Sequence, residues 1–529
     1  MAQPQLIEGQ SGLPVDNPTK SYWHKELSNK LLGHRTTREL PRSADVVIVG
    51  SGITGSFAAH FLKEKQPDLN IVIVEAREAC SGATGRNGGH CQPAIYASAP
   101  HIASFELRNF LYLKELVEEF SIPCDWRSTS GVHAFYSREL FETCRDRVDY
   151  LVEHYPDLAA NVAVVTKGKK GEGDLSGSPA YLIEGERREL TLDGLRIPHA
   201  EGAIVQWNAA SLWPYKLIAF VLERLLAANE EGSKGSFNLQ TNTPVTGLSR
   251  AETSTNFSSA SGNKTRKHNS IWTVHTPRGT IATSQVLLAT NGYTSHLLPQ
   301  FSDLLVPTRG QISALKPPET PTDPADPPLD IAHTYYIVGE PVDPYARDDY
   351  LVQRPPPTAE LIFGGGRQHA ASRGVGVWDD SSIDEPVSWY LRGELSNAID
   401  LSLHHTQSSG EKASLQKVDL EPTFEWSGIM GYTRDSHPWV GGVPASLGGG
   451  PGLWLCAGYT GHGMPNAVLS AKAVVDMLLT DDDADVEIDL PPEYELTEKR
   501  VDHVRRAWEA VSVADAKGSL YMDFGPQRG

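Results

Sequence analysis

The feature that most constrains the fold of this chain is a glycine-rich turn between a buried strand and a helix. Residues 45–49 read Asp-Val-Val-Ile-Val, a β-branched run that is too short for a helix and typical of a central parallel strand. Small and apolar residues then predict a helix over 53–65, and residues 71–74 form a second buried strand. The turn itself is Gly50-Ser51-Gly52-Ile53-Thr54-Gly55. This order predicts a β-α-β unit within a parallel sheet.

The spacing of the three glycines indicates a dinucleotide site. Gly50 permits the tight turn, Gly52 lets the backbone approach a pyrophosphate, and Gly55 lets the helix pack closely on the strand. The positive end of the helix dipole favours the phosphates. Glu75 ends the second strand 20 residues after Gly55, where its carboxylate can accept hydrogen bonds from ribose hydroxyls and would repel a 2′-phosphate. The motif therefore favours FAD or NAD over NADP, without separating the first two.

A second glycine-dense segment follows Glu75 closely. Backbone amides in such a run can bind an anion, and Arg86 adds a guanidinium that can pair with phosphate or lie near an electron-rich ring. Two phosphate-binding loops suit a large dinucleotide. The segment reads Ser81-Gly82-Ala83-Thr84-Gly85-Arg86-Asn87-Gly88-Gly89-His90.

Length and charge narrow the functional classes further. The 529 residues exceed one typical domain of roughly 100–200 residues, so at least two structural units are expected. With 47 Lys and Arg against 66 Asp and Glu, the net charge of −19 argues against a protein that coats nucleic acid or an anionic membrane. The five cysteines show no zinc-binding spacing, which predicts reduced thiols and no metal site.

The chain ends carry no recognisable targeting signal. Residues 1–20 lack the apolar core of a signal peptide, and residues 526–529 are not a peroxisomal signal. No run of about 18 apolar residues is present that would cross a bilayer. A cytoplasmic protein without membrane contact is therefore expected, and the sequence does not specify its oligomeric state.

Five further segments recur together with the two glycine-rich loops in one family, in the same order along the chain. They are 286–293 (VLLATNGY), 307–311 (PTRGQ), 363–366 (FGGG), 431–435 (GYTRD) and 457–463 (AGYTGHG). In these residues the chain resembles the D-amino acid oxidase-like superfamily of FAD-dependent oxidoreductases, which includes sarcosine, glycine and γ-glutamylputrescine oxidases. The γ-glutamylputrescine oxidase-like branch is the most similar.

The resemblance implies an α/β fold with a discontinuous Rossmann-like FAD-binding domain and a substrate domain built on a mixed or antiparallel sheet. Substrate would lie between the two domains. The expected boundaries are 1–43 for an N-terminal arm, 44–100, 200–300 and 425–480 for the FAD domain, 101–199 and 301–424 for the substrate domain, and 481–529 for a C-terminal extension.

The resemblance also implies which residues bind FAD. The 289–292 segment would close the strand end under the cofactor, Val245 would meet the adenine side, and the 458–463 turn would direct its amides at the flavin's C2=O edge. For His462, a capping or packing role is at least as well supported as a chemical one. The implied cofactor residues are Gly50, Ser51, Gly52, Ile53, Thr54, Gly55, Glu75, Ala76, Arg77, Ala83, Thr84, Arg86, Asn87, Gly88, Gly89, His90, Val245, Ala289, Thr290, Asn291, Gly292, Gly458, Tyr459, Gly461, His462, Gly463 and Met464.

Relatives of this kind oxidise a C–N bond of a small amine or amino acid. Hydride passes from the α-carbon to flavin N5, the imine hydrolyses, and dioxygen or another acceptor takes the electrons. Tyr432 and Arg434 are the first candidates for substrate contact, and an internal Arg434–Asp435 ion pair is the competing interpretation. Arg309 and Gln311 are further candidates.

Two departures from the family pattern bear on the chemistry. Where some relatives place a lysine that promotes reaction with oxygen, this chain has Ile362, which predicts slow use of oxygen. Some relatives attach FAD covalently through a cysteine, and this chain has Met430 at that position. A covalent link to FAD through His90 or Cys91 stays open. Two alternative functions also stay open: a dehydrogenase or tailoring enzyme acting on a hydroxy acid or a secondary-metabolite amine, and a catalytically silent FAD-binding protein.

Overall fold

The computed structural model of the chain describes residues 6–167, 190–230, 235–252, 270–318, 329–339, 347–403, 418–480 and 487–508. Its helices are α1 (Ile53–Lys65), α2 (Pro100–Glu119), α3 (Arg138–His154), α4 (Pro156–Ala159), α5 (Pro214–Glu230), α6 (Thr294–Leu297), α7 (Glu385–Ala398), α8 (Ala467–Leu479) and α9 (Glu498–Ala507).

The strands fall into two sheets. They are β1 (Ser43–Val49), β2 (Ile71–Val74), β3 (His90–Cys91), β4 (Arg127–Phe135), β5 (Val162–Thr166), β6 (Gly202–Ser211), β7 (Phe237–Gln240), β8 (Gly247–Glu252), β9 (Ser270–Thr276), β10 (Gly279–Leu288), β11 (Leu305–Leu315), β12 (His333–Val338), β13 (Asp348–Gln353), β14 (Leu361–Gly364), β15 (Pro422–Thr433), β16 (Trp439–Gly442) and β17 (Leu453–Ala457).

The first sheet contains the predicted β-α-β unit. Six strands run in the order β16-β17-β10-β1-β2-β7, of which β17, β10, β1, β2 and β7 are parallel, and β9 pairs antiparallel with β10 and with β8. β1 is buried on both faces, because Val46 and Ile48 join one apolar cluster and Val47 and Val49 join another. Helices α1, α5 and α8 supply the first cluster, and β9 with the segments around Leu304 and Trp439 supplies much of the second, which explains this continuous apolar run.

The second sheet is mixed and runs β15-β11-β14-β13-β12-β4-β6-β3, with β5 beside β6. β12 and β4 are parallel, and the other neighbours are antiparallel. The expected α/β architecture of a Rossmann-like unit and a mixed sheet is therefore observed. The largest apolar cluster joins the sheets, since it contains Ile48 of β1 together with Ile312 of β11 and Trp426 of β15.

Three segments of the predicted FAD domain carry strands of the second sheet. They are β3, β6 and residues 425–433 of β15. β6 pairs along its length with β4 and β5, so the chain returns to the first sheet only through α5. Most of the C-terminal extension, residues 481–486 and 509–529, lies outside the described residues.

The N-terminal arm lies along both sheets. Trp23 is fully buried and donates its indole N–H to the carbonyl of Asn87 at 2.6 Å. Tyr22 and Trp213 pack beside it. Among the described residues no helix combines the length and apolar character needed to cross a bilayer.

Candidate active site

A cavity lies between the two sheets. The ends of β1, β2 and β10 supply Val49, Val74 and Ala289 on one side, and β4, β12 and β13 supply His133, Tyr336 and Tyr350 on the other. Crevices at the carboxyl ends of parallel strands are the usual ligand sites of such sheets. The cavity is therefore the candidate site, with one half formed by glycine-rich loops and one by the second sheet.

The first glycine-rich turn has the local geometry of an anion cradle. Gly50 has φ +106°, and a Cβ there would lie 2.7 Å from the carbonyl oxygen of Ala289. A Cβ on Gly55 would lie 2.0 Å from the carbonyl oxygen of Gly50, so only glycine permits this helix-strand approach. Gly52, the N-cap of α1, has no side chain, and the N–H of Ile53 donates to the hydroxyl of Thr84 in the second loop at 3.1 Å. The positive end of α1 still favours a phosphate group.

Glu75 organises this turn from the end of β2. One carboxylate oxygen accepts hydrogen bonds from the backbone N–H of Ser51 at 3.0 Å and from its hydroxyl at 2.8 Å. The other accepts from the backbone N–H of Arg77 at 3.0 Å. The side chain lines the cavity and is 8% exposed. The carboxylate therefore contacts the glycine-rich turn and also faces the cavity, which is the position that a ribose-binding carboxylate requires.

The guanidinium of Arg86, which was expected to pair with phosphate or to lie near an electron-rich ring, makes its hydrogen bonds to protein groups in this structure. It donates to the carbonyl oxygens of Ser81, Ser427 and Thr19. It also lies 3.3 Å from the carboxylate of Asp380, which makes a second ion pair with Arg77 at 2.9 Å. Burial and the neighbouring Arg77 cation lower the pKa of Arg86 to about 10 despite Asp380. Arg86 joins the second loop, the arm and β15.

The arm closes part of the cavity, which the sequence pattern did not indicate. Leu13 and Pro14 line it. The neighbouring backbone is fixed by a hydrogen bond from the N–H of Ser11 to the hydroxyl of Ser295 at 2.9 Å. Further along, the hydroxyl of Thr19 donates to the carbonyl of Asp380 at 3.0 Å.

The predicted turn before α8 reaches the cavity and carries a buried ion pair. The N–H of Gly458 donates to the side chain of Asn291 at 3.0 Å, which ties the turn to the end of β10. The imidazole of His462 lies 3.1 Å from Glu106, whose side chain is 2% exposed. Burial opposes ionisation of both groups, but their mutual attraction outweighs it: the pKa of His462 is raised and that of Glu106 is lowered.

Two other histidines line the same cavity in neutral form. Burial, together with the nearby His462, lowers the pKa of His90 to about 3. Burial, together with His90 and His462, lowers the pKa of His133 to about 3. The His133 ring lies between Gln92 and the hydroxyl of Tyr96, which hold it in place. These histidines thus present uncharged rings to the ligand.

The second sheet contributes a cluster of tyrosines around one ion pair. Tyr336, Tyr350 and Tyr432 line the cavity with Asp348 and Arg367. The guanidinium of Arg367 donates to Asp348 Oδ2 through Nε at 3.1 Å and lies 5.0 Å from the centre of the Tyr432 ring. Burial raises the pKa of Tyr350 and Tyr336, because it disfavours the phenolate.

Of the four predicted substrate-contact residues, the structure brings two to the cavity. Tyr432 and Gln311 line it, and Gln311 is held by the hydroxyl of Ser388 at 2.8 Å. Arg309 instead pairs bidentately with Asp384, at 2.9 and 2.8 Å. Strand alternation places Arg309 on the same side of β11 as Gln311, two positions along, and both meet the start of α7, because the N–H of Asp384 donates to Gln311 Oε1 at 2.7 Å.

Arg434 is also outside the lining. It lies 3.3 Å from Asp303, while Asp435 pairs with Arg500 at 2.9 Å. Neither substrate contact nor an Arg434–Asp435 pair is therefore observed, since each residue has a partner in another element.

The predicted cofactor residues mostly converge on the cavity. Those in the lining are Gly50, Gly52, Ile53, Thr54, Glu75, Ala76, Arg77, Ala83, Thr84, Arg86, Asn87, Gly88, His90, Val245, Ala289, Thr290, Asn291, Tyr459, Gly461, His462, Gly463 and Met464. Those behind it are Ser51, Gly55, Gly89, Gly292 and Gly458. Residues that sequence reasoning missed include His133, Tyr336 and Asp348, which lie on strands without a recognisable motif.

The comparisons identify the family. The sequence profile of the FAD dependent oxidoreductase family matches residues 45–477, so the chain belongs to that family and is an FAD-dependent oxidoreductase of the D-amino acid oxidase-like superfamily. No curated protein matches the chain.

Solved structures show the same fold at low sequence identity. Glycine oxidase from Geobacillus kaustophilus is 17% identical, with a TM-score of 0.57 over 86% of this chain and 99% of that one. L-proline dehydrogenase from P. horikoshii is 18% identical, with a TM-score of 0.53 over 83% of this chain and 94% of that one. Iminodiacetate oxidase from Chelativorans sp. BNC1 is 15% identical, with a TM-score of 0.54 over 85% of this chain and 98% of that one. These similarities confirm the predicted fold class.

Proposed function

We propose that this protein binds FAD and oxidises a C–N bond of a small amine or amino acid. The observation that carries this function is one continuous cavity in which the Glu75 and glycine cradle meets the tyrosine-lined second sheet. The similar solved proteins are named as oxidases or dehydrogenases of amino or imino acids, which supports the same reaction class.

The residues of the cradle fit FAD. Glu75 would hold the adenosine ribose, the start of α1 would face the pyrophosphate, and the turn at 458–463 would meet the flavin ring. When bound, FAD supplies the acceptor for the hydride that leaves the substrate's α-carbon.

The chain's own part is to bind, orient and dehydrate the substrate. The apolar faces of Tyr336, Tyr350 and Tyr432 exclude water around the amine. The neutral rings of His90 and His133 add no positive charge that would repel it. The His462 imidazolium, fixed by Glu106, places positive charge beside the 458–463 turn, where negative charge on a reduced cofactor would be stabilised.

The test is spectroscopic. Purified protein should show a flavin spectrum, acid precipitation should release the colour, and anaerobic addition of one class of amine should bleach it. A colourless protein that stays so after incubation with FAD would overturn the proposal. Colour retained in the precipitate would instead show a covalent link and direct attention to His90, which lines the cavity, and to buried Cys91.

An acceptor other than dioxygen is the second candidate for the oxidative half-reaction. Ile362 is fully buried on β14 between Ala314 and Val352, so no cation stands at that position. We expect stopped-flow reoxidation by a quinone or dye to be faster than reoxidation by air. Reoxidation by air at an equal or higher rate would indicate that the protein is an oxidase rather than a dehydrogenase.

A further inference from the structure

The residue at the start of α8 is of a type that usually caps a helix, but it has other partners here. Asn466 is the N-cap of α8, and its side chain makes no hydrogen bond to the first turn of that helix. The cap comes from α2 instead: the N–H of Leu469 donates to Asn109 Oδ1 at 2.9 Å, and Asn109 Nδ2 donates to the carbonyl of Met464 at 3.0 Å. Because Asn109 supplies the cap, the Asn466 amide is available for other groups.

The Asn466 amide joins three groups in one fixed orientation. Its Nδ2 atom donates to Glu106 Oε1 at 3.0 Å and to the carbonyl of His462 at 3.0 Å. A carboxylate and a carbonyl both accept hydrogen bonds, so the NH₂ group must face them and Oδ1 must face the other way. On that side, the hydroxyl of Tyr494 donates to Oδ1 at 2.9 Å. Hydrogen bonds therefore run in one direction, from Tyr494 through Asn466 to Glu106.

Tyr494 reaches this position from the segment that follows α8. This segment lies beyond residues 45–477, which match the family. It docks on α2 through an exposed ion pair of Asp489 with Arg108 at 2.6 Å, and the ring of Tyr494 packs edge-on against Phe105 with 5.8 Å between centres. Tyr494 is 2% exposed, and burial raises the pKa of its hydroxyl, which therefore keeps the proton that it donates.

The carboxylate of Glu106 is the point at which this chain of hydrogen bonds meets the cavity. Besides the Asn466 amide, it accepts from the backbone N–H of Ala94 at 2.6 Å. The ring of His462, which lines the cavity, lies 3.1 Å from the oxygen that Ala94 contacts. Hydrogen bonds donated to a carboxylate favour its ionised form. Where a carboxylate and an imidazole share one proton, such donors therefore keep the proton on the imidazole.

The other histidines around this chain are uncharged. His90 on β3 and His133 on β4 face the same cavity, and burial, with the nearby His462, lowers the pKa of both to about 3. Burial also lowers the pKa of His437, whose ring centre is 5.8 Å from that of Tyr494. The imidazolium at the cavity therefore depends on its own carboxylate partner and on the donors that hold this partner ionised.

From this arrangement we infer that Tyr494 and Asn466 are positioning residues, which act on the cavity through the carboxylate of Glu106. They hold Glu106 ionised, so that the proton it shares with His462 stays on the imidazole. The segment after α8 is then part of the cofactor site, although it lies outside the residues that match the family. The consequence for the flavin rests on the proposed function: the imidazolium beside the 458–463 turn would stabilise negative charge on the flavin ring.

The protonation of His462 can be measured directly in the purified protein. With isotope-labelled histidine, NMR spectra at neutral pH distinguish an imidazolium from a neutral ring, and the His462 signal is identified by its loss in His462→Gln. We expect an imidazolium in the native protein and a neutral ring in Glu106→Gln. Asn466→Ala and Tyr494→Phe should give intermediate signals. The loss of imidazolium should be larger in Asn466→Ala, because it removes the donor to the carboxylate itself.

Two control variants separate this role from a general loss of packing. Asp489→Asn breaks the exposed ion pair of the same segment. Tyr335→Phe removes a buried hydroxyl that donates to the carbonyl of Leu195 at 2.9 Å, within the second sheet. Both should leave the His462 signal as it is in the native protein.

The outcomes for the two positioning residues are separate. A full imidazolium signal in Asn466→Ala or in Tyr494→Phe would overturn the role inferred for that residue, and a neutral His462 in the native protein would overturn the whole inference. Tyr494→Phe keeps the aromatic packing, so it provides the test if Asn466→Ala folds poorly.

Sulfite provides a second measurement, at the flavin itself. It adds to the oxidised ring and leaves that ring negatively charged, so its Kd should rise by about tenfold in Asn466→Ala and by less in Tyr494→Phe. A protein that binds no FAD would overturn the proposed function, whereas the His462 spectra would still test the inference. Loss of the imidazolium with unchanged sulfite affinity would overturn the link to the flavin.

Discussion

Glu75 connects the first glycine-rich turn to the backbone that follows β2. It accepts three hydrogen bonds, two from Ser51 and one from the backbone N–H of Arg77. In Glu75→Gln an amide N–H₂ group would face at least one of these donors. We expect a loss of about 1–3 kcal/mol in unfolding free energy, measured by urea denaturation without cofactor, because a buried donor is left unpaired.

The same variant should bind FAD more weakly, measured by flavin fluorescence. Glu78→Gln, in the same turn but bonded to the N–H of Gly33 at the surface, is the control and should change both quantities little. An unchanged stability for Glu75→Gln would show that the loop does not depend on this carboxylate.

The His462–Glu106 pair predicts a pH dependence of stability. The raised pKa of His462 gives stability that is complete below its ordinary value of 6.5 and is lost as pH rises through the raised value. The lowered pKa of Glu106 gives stability that is present above 4.5 and is lost as pH falls through the lowered value. The pair therefore stabilises most between these limits.

Glu106→Gln should remove this contribution. The difference in unfolding free energy between the native protein and the variant should be greatest near pH 5–6 and shrink as pH rises above 6.5, which urea denaturation at several pH values measures. A difference that stays constant across this range would mean that His462 is neutral beside Glu106 in the folded protein.

At the scale of elements, the N-terminal arm is fixed by partly buried hydrogen bonds around Thr19. The Thr19 hydroxyl accepts from the Arg86 guanidinium at 3.1 Å and from the N–H of Ser427 at 3.0 Å. Thr19→Val should cost about 1 kcal/mol or more in unfolding free energy, since it removes the acceptor of the Ser427 N–H and one of the acceptors of Arg86. It should also speed protease cleavage of the arm and dissociation of FAD. Thr37→Val, near the surface end of the arm, should leave FAD dissociation unchanged.

The parts of the site that were predictable from sequence are those made by neighbouring residues. The turn at Gly50–Gly55 and Glu75 lie within one β-α-β unit, so their spacing fixes their geometry. The Arg86–Asp380 pair joins positions almost 300 residues apart, and Arg367 reaches Asp348 through the antiparallel pairing of β13 with β14. No local pattern encodes such registers, so the protein partners of Arg86 and Arg434 could not be predicted from the sequence.

At the scale of the whole molecule, the two sheets are expected to unfold together. The cluster that contains Cys80, Cys91, Cys124 and Cys456 takes side chains from both sheets. Cys144, on α3, lies in a smaller cluster between that helix and the second sheet. Because both sheets form the cavity, the core that they share fixes the position of one side of the cavity relative to the other.

Thiol labelling measures this cooperativity. All five cysteines are buried, and burial raises the pKa of each thiol, so a thiol reagent at pH 8 should label none in the native protein and five after denaturation. At intermediate urea, Cys144 and Cys456 should react at one common rate if the molecule opens as a unit. Earlier labelling of Cys144 would show instead that the outer layer of the second sheet opens first. In that case the side of the cavity formed by the second sheet would open locally while the side formed by the glycine-rich loops stays folded.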